Sequence, residues 1–565
     1  MRPRSVLLAV AAGLALADAS VVTLALPQLL VDLHTTVEGV ASVIGVYTVA
    51  LALALIPIER ATRRHGAPAV GAAGFVTFAV ACIACAGADS LAVLLVARAV
   101  QAIGGAAALV ATFSLLADGH DETGVAGAPA HAPQARTLWL GAAVLSAALG
   151  PALGGALTQA FSWPAIFIAQ VPVAAAAALV CVRLPGPATA PPDPVATTPP
   201  AEPFDWRAAT ALGFVSAALS AVLFLLVLLL VAGWAVRPLA AAGTVTVVPA
   251  FALLAGWSGT RLGDARWRAA GGCVLVGFGT IALAYLPDAR LWWTLAPQAL
   301  AGFGMGLALP ALGGELLPER DARDAARLLA IRHIGIAVAL AVIAPITSAR
   351  LDDATFKARE RGVALVLDAK IDPARKLQLA PALLASVDTE SPRRVLRQTI
   401  ADNRAALKGA ELADYDRLSV RADETLVEAV GQSFFAAFAL TGLLALAGAG
   451  LLVRARPRAP GWAVGATVVG CAVLAWQVAE WHHLQPPAVT IADPCQKRSL
   501  PSTGGVTGFL QDKALEVLDN EACHYGSSRE ELVLALADDA DARRFQREHG
   551  ANPRSLGGLL GGLSG

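Results

Sequence analysis

The side chains best able to do chemistry in this chain lie where the surrounding sequence should not tolerate them. Asp18 sits inside an apolar stretch from Ser5 to Leu30, and Arg98 inside another from Leu91 to Leu116. A carboxylate in the middle of a membrane span costs about 2.5–3.5 kcal/mol on insertion scales, so it normally faces a cavity or a partner. Arg98 is the natural partner. At a rise of about 1.5 Å per residue, Arg98 lies roughly 10 Å and Asp18 roughly 18 Å from the corresponding ends of their stretches. Burial favours a neutral carboxyl and a nearby cation favours an ionised one, and that competition suits a proton carrier. A fixed ion pair, or a hydrogen bond to a neighbouring helix, is the competing account. Gln101, Gln170 and Gln298 are among the few other polar side chains in apolar runs, and they suggest a cavity with sparse polar contacts for a hydrophobic small-molecule substrate. Arg332 and His333 could meet an anionic group, although snorkelling to the interface is the simpler expectation.

Composition says what must hold these residues. Of 565 residues, 56% are hydrophobic and 15% charged, against roughly 25% charged in soluble proteins. Mean hydropathy is +0.61. Apolar runs long enough to cross a hydrocarbon core of about 30 Å recur along the chain. They give thirteen spans, near residues 5–30, 40–58, 70–86, 91–116, 138–157, 163–182, 208–231, 239–257, 270–286, 291–317, 328–347, 434–453 and 462–478. Arg2 and Arg4 before the first run imitate a secretory signal, but the run continues to Leu30 and reads as a span. Net charge is zero, so nucleic acid is not an expected partner; the lipid bilayer is. No Walker loop, zinc-protease motif or nucleophile elbow occurs. Neither an enzyme, a metal nor a cofactor is called for, and ATP-driven transport is disfavoured.

Basic loops orient the spans. Arg60, Arg63 and Arg64, then Arg183, then Arg261, Arg266 and Arg268, then Arg320, Arg323 and Arg327, then Arg454, Arg456 and Arg458 all fall on one side, taken as the cytoplasm. Arg237 and Arg290 are exceptions. The N-terminus is then cytoplasmic and the C-terminus extracytoplasmic, and the Arg- and Ala-rich composition points to a bacterial plasma membrane. Residues 1–183 form a first six-span bundle, 184–206 a Pro-rich cytoplasmic linker, and 207–348 spans seven to eleven. Residues 349–431 form an extracytoplasmic insert, 432–482 spans twelve and thirteen, and 483–565 an extracytoplasmic tail. Insert and tail should both fold as short helices, from apolar spacings such as Val395, Leu396, Thr399, Ile400 and Leu532, Val533, Leu536. Cys495 and Cys523 are the cysteines in polar sequence, and an oxidising exterior permits a disulfide between them. The Glu480, His482 and His483 cluster is read as a polar helix end and not as a metal site.

The halves echo each other. Arg98 precedes Gly104 by six residues in span four, and Gln298 precedes Gly304 by six in span ten. Parallel six-helix repeats give such an echo; chance likeness between two Ala/Gly-rich helices would also give it.

Several segments then resemble a known family. Leu16 to Pro27, which contains Asp18, resembles the first-helix motif of the multidrug proton-antiporter branch of the major facilitator superfamily. Arg98 to Ala106 resembles its fourth-helix motif, and Gly141 with Gly150, Pro151, Gly154 and Gly155 resembles its helix-five antiporter motif. Phe204-Asp205-Trp206 opens span seven as it often does in that branch. The resemblance covers roughly residues 5–455. It implies an all-α membrane protein of two six-helix bundles, here with one extra C-terminal transmembrane helix and small helical external segments. It also implies proton-coupled efflux by alternating access, with Asp18 and Arg98 in proton transfer. Pro27, Gln101, Gly104, Gly150, Pro151, Gly154, Gly155 and Gln298 are then cavity or helix-packing positions. Two departures stand out. The loop after span two reads Glu59-Arg60-Ala61-Thr62-Arg63-Arg64-His65-Gly66, without the family's leading glycine or its aspartate, so the cytoplasmic latch must differ. The external segments are not general family features, and they leave open a receptor or envelope-assembly protein on a transporter scaffold. Nutrient uptake is disfavoured only by the helix-five motif.

Overall fold

The computed structural model describes residues 3–117, 150–184, 204–317, 322–369, 371, 373, 376, 392–404, 409–453, 459–487, 489–496, 500 and 505–554. Among them there is no strand, and eleven helices are long and apolar enough to cross a membrane. These are the expected spans two to four and six to thirteen. Span five is described from residue 150, so its expected start at residue 138, Gly141 and residues 185–203 of the Pro-rich linker lie outside the described residues.

Three spans differ from uninterrupted helices, for one reason. The first is Pro3–Thr23 followed by Leu26–Asp32. The sixth is Ala165–Ile168 followed by Val171–Arg183. The eighth is Pro238–Val245 followed by Val247–Gly259. Proline clashes with the carbonyl four residues before it and lacks an N–H. Thr23, Ile168 and Val245 stand four residues before Pro27, Pro172 and Pro249, and each ends its helix. Pro57, Pro297 and Pro345 are instead carried inside continuous helices.

The chain divides into two compact units. The first comprises Met1–Val231, Val236–Ser348 and Phe434–His482, so both six-span halves share one unit. Glycines set how closely its helices approach. A Cβ at Gly104 would lie 2.6 Å from the Phe78 nitrogen and 2.9 Å from the Gly74 oxygen, locking span four onto span three. A Cβ at Gly304 would lie 2.8 Å from the Val276 nitrogen and 2.5 Å from the Gly272 oxygen, so span ten meets span nine in the same way. The two halves repeat in backbone packing as well as in sequence.

The second unit comprises Ala232–Ala235, Ala349–Ser433 and His483–Gly565. The insert is not built only from short helices. Span eleven belongs to one helix from Ala322 to Asp368, and span twelve to one from Gly409 to Val453. No proline occurs between Pro345 and Pro373, or between Pro392 and Pro457. Good helix formers fill residues 349–361, supported by a Lys357–Asp353 pair at 2.9 Å. Nothing therefore stops either helix where its apolar run ends. One separate helix, Pro392–Arg404, contributes Ile400 to a small core with Val366, Ile371, Tyr415 and Leu418. The tail forms helices Gly505–Tyr525, Arg529–Ala537 and Asp539–His549 around Ala522, Leu532, Ala535 and Phe545. Ser528 and Asp538 cap the last two by accepting hydrogen bonds from backbone N–H groups. Cys495 and Cys523 are disulfide-bonded, with their Cα atoms 5.0 Å apart.

Candidate functional site

Asp18 comes from span one, where small neighbours let other helices close around it. A Cβ at Gly150 would lie 2.2 Å from Ser20 Oγ, and one at Gly154 would lie 2.4 Å from the Val21 oxygen. Span five is thereby held against the turn of span one that follows Asp18. Arg98 and Gln101, one turn apart on span four, reach the carboxylate from the other side.

The structure joins these groups into one network. Arg98 Nη1 donates to Asp18 Oδ2. The same Nη1 donates to Gln101 Oε1 at 2.6 Å, and Arg98 Nε donates to the Val43 carbonyl at 3.3 Å. Gln101 Nε2 donates to Asp18 Oδ1 at 3.1 Å, and Gln170 Nε2, from span six, donates to the same oxygen at 3.0 Å. The break in span six places Gln170 between its two helical segments. Asp18, Arg98 and Gln101 are 0% exposed and Gln170 is 1% exposed. Tyr47, from span two, lays its ring 4.3 Å from the guanidinium carbon and donates its hydroxyl to the Ala15 carbonyl at 2.9 Å. Phe167 closes another side at 5.7 Å, and Cys82 lies 3.2 Å from Gln101 Nε2.

Arg98 Nη2 and Gln170 Oε1 are buried with no hydrogen-bond partner, so the network is not fully satisfied. Its net charge is zero only while Asp18 is ionised. Adding one proton to Asp18 would leave Arg98 as a buried cation without a counter-charge, a state that favours rearrangement. The arrangement can therefore couple a proton to a change in shape.

Several expectations change. Gln101 is fully buried, and its amide is taken up by the network. Gln298, the positional counterpart of Arg98, is 0% exposed and donates to Thr294 Oγ1 on its own helix at 2.8 Å. Its Oε1 has no partner. The repeat thus duplicates the helix packing but not the ion pair. The segment from Glu59 to His65 forms the last two turns of a helix, not a loop; Gly66, at φ 86°, turns the chain directly into Ala67–Ala86. Glu59 is buried and pairs with Arg63 at 3.0 Å. Glu59 stands at the family's leading glycine and Arg63 at its aspartate, so the acid here sits one helical turn before the position where the resemblance expects it. Tyr47 was missed from sequence. The available signal was that it is the only tyrosine before Tyr285.

Gly155 belongs to a different contact. A Cβ there would lie 2.4 Å from Ala242 Cβ and 3.0 Å from the Pro238 oxygen. Gln159 Oε1 accepts from the Leu239 N–H at 3.0 Å. Span five therefore touches span one through Gly150 and Gly154 and span eight through Gly155, and Pro151 stands in the same segment.

The Major Facilitator Superfamily profile matches residues 8–349, more than half of the chain. The chain belongs to the Major Facilitator Superfamily. Relatives within the superfamily include the drug efflux pump JefA of Mycobacterium tuberculosis, 30% identical over 179 residues, covering 31% of this chain and 34% of that protein. The tetracenomycin C resistance and export protein of Streptomyces glaucescens is 33% identical over 178 residues, covering 31% of this chain and 32% of that protein. The methylenomycin A resistance protein of Bacillus subtilis is 32% identical over 185 residues, covering 32% and 38%. The chain thus spans about a third of the length of the curated relatives it matches. A solved superfamily fold, a bacterial homologue of the human lysosomal transporter Spinster, aligns with a TM-score of 0.55 at 15% identity, covering 81% of this chain and 100% of that one.

Proposed function

We propose that this chain is a proton-coupled exporter of small hydrophobic molecules, working by alternating access in a bacterial plasma membrane with its N-terminus in the cytoplasm and its C-terminus outside. The observation that carries this reading is the buried Asp18–Arg98 pair with both glutamines on the carboxylate. Protonating Asp18 removes the charge that Arg98 needs, and the pair lies beside the helix that touches both halves of the bundle. Spans five and eight meet through glycine and backbone, a contact suited to rocking. Similarity to a drug efflux pump and to resistance and export proteins supports the outward direction. Substrate efflux from vesicles under an imposed pH gradient tests the reading. Acceleration by the gradient in the unaltered chain, lost in Asp18→Asn, is the expected result; equal gradient dependence in both would remove Asp18 from coupling.

The second unit has its own cores and a disulfide, which favours one other reading, a receptor or envelope-assembly protein on this scaffold. Deleting residues 486–565 separates the two. An exporter keeps efflux, whereas a partner-binding scaffold loses its function.

A further inference from the structure

We infer that Arg332, on span eleven, is the binding group for an anion carried on an otherwise apolar substrate. This rests on the exporter reading and names the class of molecule that its pathway would take.

Arg332 stands off the lipid-facing stripe of its helix. Ile334, Val338 and Val342 are 51%, 59% and 47% exposed and recur every four residues, which marks the lipid-facing stripe of this helix. At about 100° per residue, Arg332 points roughly 120° away from the middle of that stripe. It shares its face with Ile336, Ala339 and Ile343, all buried. Arg332 is nevertheless only half-buried, so its exposed part opens toward the interior of the bundle and not toward the acyl chains. Its Nε is buried without a hydrogen-bond partner. His333 beside it is buried, with Nδ1 engaged by the Leu329 carbonyl at 2.7 Å.

Charge balance shows what is missing. Residues 206–256, 265–285, 292–314 and 325–351 contain no aspartate or glutamate. Glu315, at the end of span ten, is taken by Arg268. In the other half, Asp18 is taken by Arg98, and Glu59 by Arg63. Among the described residues no carboxylate pairs with Arg332, and these stretches of spans seven to eleven offer none at its depth. A cation held in a membrane span without a counter-charge marks a substrate or ion pathway, and a planar guanidinium with free donors suits a carboxylate or sulfonate. A lipid phosphate is the poorer candidate, because the side chain faces away from the lipid stripe.

The test uses the full chain in nanodiscs of zwitterionic phospholipid, with three matched fluorescent probes: pyrenebutyrate, its neutral amide, and pyrenebutyltrimethylammonium. A charge-assisted contact predicts that pyrenebutyrate binds about ten-fold or more tightly than the amide. Arg332→Gln should abolish that preference and leave amide binding unchanged, while Arg332→Lys should keep part of it. Removing an unpaired charge should not lower the melting temperature, so Arg332→Gln is expected to fold; a purely structural role would lower it and leave the probe ranking intact. Equal binding of carboxylate and amide by the unaltered chain overturns the inference, as does an unchanged preference in Arg332→Gln. Proteoliposomes under a pH gradient supply the separate arm. Gradient-driven efflux of the amide or the ammonium probe without a carboxylate preference keeps the exporter and discards the role of Arg332. Absence of gradient-driven efflux for all three probes discards the exporter, and the binding ranking still judges Arg332.

Discussion

Replacing Asp18 with asparagine should damage both stability and coupling, and the size of the first effect follows from the geometry. The two Asp18 oxygens accept from three donors, Arg98 Nη1, Gln101 Nε2 and Gln170 Nε2. An asparagine offers one oxygen and one NH2. If the oxygen faces the glutamines, the NH2 opposes the guanidinium; if it faces the guanidinium, the NH2 opposes two amide donors. Either orientation sets donor against donor and leaves Arg98, 0% exposed, without a counter-charge. Breaking a fully buried pair in this way costs about 3–5 kcal/mol. The assay is thermal or denaturant unfolding of the purified protein across a double-mutant cycle of Asp18→Asn and Arg98→Met. Each single variant should lose about 3 kcal/mol or more, and the double variant should recover about 2 kcal/mol or more of their summed loss. The same variants in proteoliposomes should show efflux that no longer accelerates under a pH gradient. A single-variant cost under about 1 kcal/mol, with additivity within about 0.5 kcal/mol, would refute the idea that the pair acts as one energetic unit. The protonation switch would fall with it.

Four further outcomes follow from other parts of the molecule. Tyr47→Phe removes the hydroxyl that donates to the Ala15 carbonyl at 2.9 Å and should cost about 1 kcal/mol in the same unfolding assay, while keeping the ring over Arg98. Gly155→Leu drives a side chain into the Pro238–Ala242 backbone; efflux should fall sharply while Asp18–Arg98 coupling in the unfolding cycle persists. Breaking Cys495–Cys523, which encloses 28 residues of sequence separation, should destabilise the second unit by about 3–4 kcal/mol on a loop-entropy basis, read as earlier protease cleavage under reducing conditions. Burial pushes the Lys376 amine down to about 8, against an opposing pull from Asp368. Because the folded form releases its proton first, stability of the second unit should rise between about pH 8 and the ordinary lysine value near 10.4. Lys376→Met should flatten that rise, and a pH series of unfolding midpoints checks it.

The sequence by itself determined the material and the place of eleven membrane-length helices, because crossing hydrocarbon demands long apolar runs and allows few charges. It also marked Asp18 and Arg98, since an ionised group in such a run stands out against its neighbours. It could not show that Gln101 and Gln170 both turn onto Asp18, because that depends on which helices are adjacent and on how Pro172 interrupts span six. The breaks after Thr23 and Ile168 were not legible, because proline ends a helix there but is carried inside continuous helices at Pro57, Pro297 and Pro345. Helix ends were not legible at residues 349–368 and 409–433 either, where polar helix formers carry the helix on past its apolar part. Arg332 illustrates the remaining division. Its presence in span eleven is a fact of sequence, but whether an arginine faces lipid, a partner or the interior is decided by packing around the helix. Rotation about a helix axis leaves the order of residues unchanged, and only neighbouring helices fix it.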